Sequence, residues 1–143
     1  ALNATRAAIE EGVVAGGGLA LHNAKRVLDN IELDDSDEQL GIEILKSVLS
    51  EPLKQIAENA GKDGAVVAAE CGKEMGYDAK ADKYVDMIKE GIIDPVKVTR
   101  FALLNAASVG TMLITTEAVV ADIKEEKEDS HMPSQDMGMG GMM

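Results

Sequence analysis

The stretch "EEGVVAGGGLAL", Glu10 to Leu21, decides how the rest of the chain is read. An apolar pair, Val13-Val14, is followed by the glycines Gly16, Gly17 and Gly18, and then by residues that resume helical spacing. Glycine loses more conformational freedom on ordering than any other residue, so a run of it at the mouth of a helix is costly. Two readings account for it. The chain makes a plain turn, or the backbone is left bare so that a ligand can approach. A helix N-terminus preceded by bare backbone suits a phosphate or a ribose. The stretch is neither a dinucleotide fingerprint nor a P-loop, because it has no Gly-x-Gly-x-x-Gly and no Gly-Lys-Ser/Thr.

On the N-terminal side, Ala1, Ala4, Ala8 and Glu11 follow helical spacing, and Gly12 breaks the pattern. The chain begins inside that pattern without a start Met or a cap, as expected of a piece of a longer polypeptide. On the C-terminal side a helix is predicted from Leu19 to Leu28, with Leu21, Ala24, Val27 and Leu28 on one face. An acidic connector follows, in which Ser36 or Asp37 can cap the next helix. That helix carries Leu40, Ile44, Leu45, Val48 and Leu49. "SEP" restarts the helix with Pro52 near its first position, where the missing N–H is harmless. Gly61 stops it, and Asp63 caps a short helix over "GAVVAAE".

Two short runs around Tyr77 and Tyr84-Val85, with a polar turn between them, predict a β-hairpin. "IIDPVKVTR" opens the longest helix, with Asp94 as N-cap and Pro95 at its first position. Val98, Ala102, Ala106, Val109 and Leu113 form the stripe expected to be buried. "TTEAVVADI" alternates enough for a short strand. From Lys124 onward no apolar period remains, and the Gly/Met-rich end is expected to be disordered.

The net charge of −12 argues against nucleic acid, which needs a basic face to displace counterions. With only Tyr77, Tyr84 and Phe101 aromatic, the chain lacks platforms for stacking bases. Cys71 is the single cysteine, which favours a reducing compartment, and it reads as a packing residue. The best membrane candidate, Phe101 to Val120, contains Asn105, Ser108, three threonines and Glu117, and reads better as a buried helix running into a second element. His22 and His131 have no ligand spacing and read as surface histidines, so no metal site is supported. The fold class expected is mainly α: a helical bundle with a small β-hairpin and a short C-terminal strand.

Taken together, "EEGVVAGGGLAL", "EPLKQIAENAG", "GYDA", "YVDMIKEGIIDPVKVTRFALLNAASVGTMLITTEAVVADI" and the terminal "GMGGMM" resemble the C-terminal part of group I chaperonins, the GroEL type. The resemblance runs over essentially the whole chain, in order. It implies that residues 1–11 end the intermediate-domain helix, with Gly12 at the hinge. Residues 12–123 then form the C-terminal half of the equatorial ATP-binding domain, and residues 124–143 the tail. It also implies that Gly16 and Gly17 lie against ATP, that Asp78 and Ala79 lie near the adenine, and that Ile92 and Asp94 lie near the base and ribose. Lys80 stands where many members carry a small residue. Neither catalytic residues nor ligands for the Mg2+ that accompanies ATP fall within this segment, which alone is expected to be inactive. The partners implied are identical subunits in a ring, non-native client proteins and a co-chaperonin lid, in the cytoplasm. The final strand would pair with a neighbouring subunit. The other reading is a stand-alone helical scaffold module without ATPase activity, which an open reading frame of this length would favour.

Overall fold

The computed structural model describes residues 2–122. Six helices and two small antiparallel sheets make it mainly helical. Helix α1, Leu2–Glu11, ends where Gly12 takes φ 83°, a left-handed conformation that costs glycine nothing sterically. Strand β1, Val13–Ala15, leads into the glycine turn, where Gly17 (φ 64°) and Gly18 (φ 79°) reverse the chain into α2, Leu19–Leu28. The helix bounds are those predicted, but the face differs: Leu19 is fully buried, whereas Val27 is exposed.

Helix α3, Ser36–Val48, is capped by Asp35, whose carboxylate accepts from the amides of Asp37 (2.8 Å) and Glu38 (3.1 Å). The expected caps, Ser36 and Asp37, are already helical, and Asp35 has the extended backbone that capping requires. Leu40, Ile44 and Val48 of the expected apolar stripe are exposed, and Leu49 just beyond α3 is buried. Helix α4, Glu51–Asn59, carries Pro52 in its first turn. Helix α5, Gly64–Glu70, is capped by Asp63 as predicted, through the amides of Ala65 and Val66.

The hairpin is β2, Met75–Asp78, against β3, Lys83–Asp86, with Tyr77 opposite Tyr84. One face of it closes the core, where Leu19, Leu53 and Met87 are fully buried and Ala57, Val67, Ala68, Cys71, Tyr77 and Val85 surround them. Cys71 is thus a packing residue, and burial pushes its thiol up. The approach is close at Gly18, where a Cβ would lie 2.6 Å from the Leu53 amide nitrogen, and at Gly76, where it would lie 2.6 Å from Met87 Cγ.

Strand β4, Ile93–Pro95, pairs with β1 in the register Val13–Pro95, Val14–Asp94 and Ala15–Ile93. Helix α6, Val96–Thr115, follows directly. Asp94 is therefore a ladder residue and not the helix cap: Pro95 occupies the cap position, and no side chain makes a capping bond there. The stripe expected to be buried on α6 is not. Val98, Ala102, Ala106, Val109 and Leu113 are exposed, because α6 packs in the described residues mainly along α1 and β4. It is also the one helix among them long and apolar enough to cross a membrane. Residues 116–122 form no strand, since a strand needs a partner for its amides and carbonyls and none of the described residues pairs with them. The Gly/Met tail and His131 lie outside the described residues.

Candidate functional site

The β1–β4 ladder brings the glycine turn to the segment "GIID", almost eighty residues away in the chain. At its end the Gly16 amide donates to the Ile92 carbonyl at 2.9 Å, and at the other end the Val96 amide donates to the Gly12 carbonyl at 3.1 Å. A Cβ on Gly16 would stand 3.1 Å from the Ile92 carbonyl carbon and oxygen, so a side chain there would crowd this approach. Ile92 is held from the other side as well, its amide donating to the Met87 carbonyl at 2.8 Å.

The hairpin turn completes the site. Asp78 Oδ1 accepts from the amides of Lys80 (2.9 Å) and Ala81 (3.1 Å), which fixes the turn after β2 and leaves the second carboxylate oxygen without a bond from that turn. Asp82, at φ 50°, accepts from the Tyr77 hydroxyl at 3.0 Å and from Lys62 Nζ at 2.8 Å. The Lys62 ammonium, then the Tyr77 hydroxyl, hold the Asp82 carboxyl below its usual range. Tyr77 and Tyr84 pack with ring centroids 5.7 Å apart.

Between these pieces lies a cleft of 430 Å³. Gly17, Asp78, Ala79 and Ile92, all singled out in the sequence, line it together. Gly16 sits beside it through its bond to Ile92, whereas Asp94 is two residues further along and does not line it. Ile56, Tyr77, Met87, Lys80 and Glu90 complete the wall. Reading the sequence did not single out Ile56, Met87 or Glu90 for the site. They arrive there through the hairpin and α4, and no local motif marks them. The lining is mostly apolar, with the Asp78 and Glu90 carboxylates and the Lys80 ammonium among it. That composition suits a flat, partly polar group such as a nucleobase. A cleft of 580 Å³ between α1 and α6 is larger, but none of the site residues singled out in the sequence lines it.

The sequence matches the TCP-1/cpn60 chaperonin family over residues 1–124. The chain belongs to that family. The match covers every element described above and extends through residue 124. Membership gives this chaperonin chain a role of the chaperonin type in protein folding. Chaperonins are in general ATPases that form rings and act on client proteins. The scaffold reading without ATPase activity is not favoured by this match.

Proposed function

We propose that this chain is the C-terminal equatorial segment of a group I chaperonin and supplies the adenosine side of its ATP site. The observation that carries the proposal is the cleft shared by Gly17, Asp78, Ala79 and Ile92, with Gly16 bonded to Ile92 beside it. Bound ATP would lay its adenine against Ala79, Ile92 and the hairpin turn, where apolar walls exclude water from the ring. The free Asp78 oxygen is an acceptor placed for an exocyclic amine. Asp94, beyond the cleft lining, would offer a carboxylate to ribose hydroxyls that extend out of it. The bound nucleotide supplies the energy-releasing phosphoryl chemistry, and these residues bind and orient it without taking part in bond cleavage. Gly12, between α1 and the β1–β4 ladder, acts as the hinge to the intermediate domain. The exposed side of α6 and the residues after it contact neighbouring subunits of the ring. The setting proposed is cytoplasmic, with a co-chaperonin lid as a further partner.

Calorimetric titration with ATP tests this in the assembled protein. Asp94→Asn is expected to weaken ATP binding and leave Tm unchanged, because the backbone ladder and not the carboxylate holds that residue in place. Unaltered affinity in Asp94→Asn would remove the ribose contact from the account.

A further inference from the structure

A second polar cleft, of 280 Å³, lies where α2, α3, α4 and α5 meet. Its polar lining is His22, Lys25, Lys46, Ser47, Ser50 and Lys54, and α5 contributes only alanines. No carboxylate lines it, although the chain carries a net charge of −12. It opens into a neighbouring cleft of 520 Å³ that adds Arg26, Asp29 and Glu43.

Ser50 marks the floor. It is 3% exposed and stands at the N-cap position of α4, yet its hydroxyl makes no capping bond and instead lies 3.2 Å from His22 Nδ1. A buried hydroxyl facing an imidazole is a polar pair at the bottom of a cationic recess. The charges around it come from three helices. α2 brings Lys25 and Arg26, with Asp29 at its C-cap, α3 brings Glu43 and Lys46, and α4 brings Glu51 and Lys54. Asp29 and Glu43 engage Lys46 at 3.3 and 2.9 Å, and Glu51 engages Lys54 at 2.6 Å. No ion pair among the described residues engages Lys25 or Arg26. Burial first, then the Lys25, Arg26 and Lys54 cations, push the His22 imidazole down. The charges that act on the ring are thus the Lys25, Arg26 and Lys54 cations. The carboxylates that engage the half-buried Lys46 and Lys54 are themselves exposed, which screens the pairs and lets both ammoniums turn toward a more highly charged ligand.

We infer that this recess is a binding site for a small tetrahedral anion, phosphate or a phosphate monoester, held by the ammoniums of Lys25 and Lys54 at the rim and the His22–Ser50 pair at the floor. The inference does not rest on the nucleotide cleft, which has its own walls in the hairpin and the glycine turn.

Titration calorimetry with inorganic phosphate and with glycerol phosphate, each against chloride at matched ionic strength, decides it. Saturable one-site binding of phosphate is expected, weakened roughly tenfold in Lys25→Ala and unchanged in Lys80→Ala at the other cleft. Glycerol phosphate binding as tightly as phosphate supports a site open to esters, and phosphate binding alone supports a site for the free anion. No saturable heat beyond that of chloride would overturn the inference. So would loss of binding in Lys80→Ala with Lys25→Ala unaffected.

Discussion

Gly12 and Gly18 share a left-handed backbone, but their surroundings differ. Around Gly12 a Cβ would meet open space, so Gly12→Ala bears only the conformational penalty, about 1–2 kcal/mol. At Gly18 the same Cβ would fall 2.6 Å from the Leu53 nitrogen and 2.9 Å from its Cα, backbone atoms inside α4 that cannot step aside. Gly18→Ala is expected to cost about 3 kcal/mol or more, strain and overpacking together. Urea denaturation of both variants checks the order, and equal losses would mean that the α2–α4 approach is looser than described. Part of this was legible in the sequence: three glycines before a helix announce a bare backbone. The target of the approach was not, because Leu53 lies thirty-five residues away. Asp63 and Asp94 show the same limit. Both precede helical patterns, but only Asp63 caps one. Asp94 is drawn into a strand by Val14, so Asp94→Ala is expected to leave stability nearly unchanged in a thermal melt, whereas Asp63→Ala should lose about 1 kcal/mol.

Helices α1 and α6 meet through side chains that no sequence pattern pairs. Arg100 donates to both carboxylate oxygens of Glu11, at 3.1 and 2.6 Å, and Lys97 pairs with Glu10. The hydrogen bonds from Arg100 hold the Glu11 carboxyl below its ordinary range. A carboxyl depressed in the folded state contributes stability that is fully present above the ordinary carboxylate range and is lost as pH falls through the depressed value. The docking of α1 on α6 should therefore weaken on acidification, and Glu11→Gln should remove that part of the pH dependence. Amide exchange in α1, followed from neutral to acid pH in both proteins, reads it directly. An identical acid response in the variant would show that the pair does not hold α1. Helix existence was legible because the apolar period and the glycine stops are local. The β1–β4 ladder was not, because three-residue strands are too short to show alternation. The apolar stripe of α6 was read correctly as a shared face and wrongly as a buried one, since periodicity reports which residues align and not what covers them.

The whole molecule leaves much apolar surface open. Val109, Met112, Leu113 and Ile114 on α6 are more than half exposed, and Val119 and Val120 beyond it are 80% and 99% exposed. Patches of this kind drive association. The isolated chain, of 15.1 kDa, is expected to run as an oligomer in light scattering and to bind a hydrophobic dye, and Ile114→Lys should reduce both. A compact monomer that binds no dye would contradict this. Chaperonins in general form rings, and the subunit contact proposed for α6 would cover this surface. The site itself was legible only through the resemblance of "GGG", "GYDA" and "GIID" to chaperonin motifs. Composition and spacing left the glycine turn undecided, and the ladder that joins these motifs is a tertiary fact. The central claim is that the adenine of ATP sits between the hairpin turn and Ile92, and photolabelling with an ATP analogue bearing an azide on its adenine tests it most directly. Mass spectrometry should place the label on the peptide from Tyr77 to Lys80 or from Met87 to Ile92, with excess ATP suppressing it. Label on the α1–α6 cleft, at Phe101 or its neighbours, with neither of those peptides modified, would contradict the account.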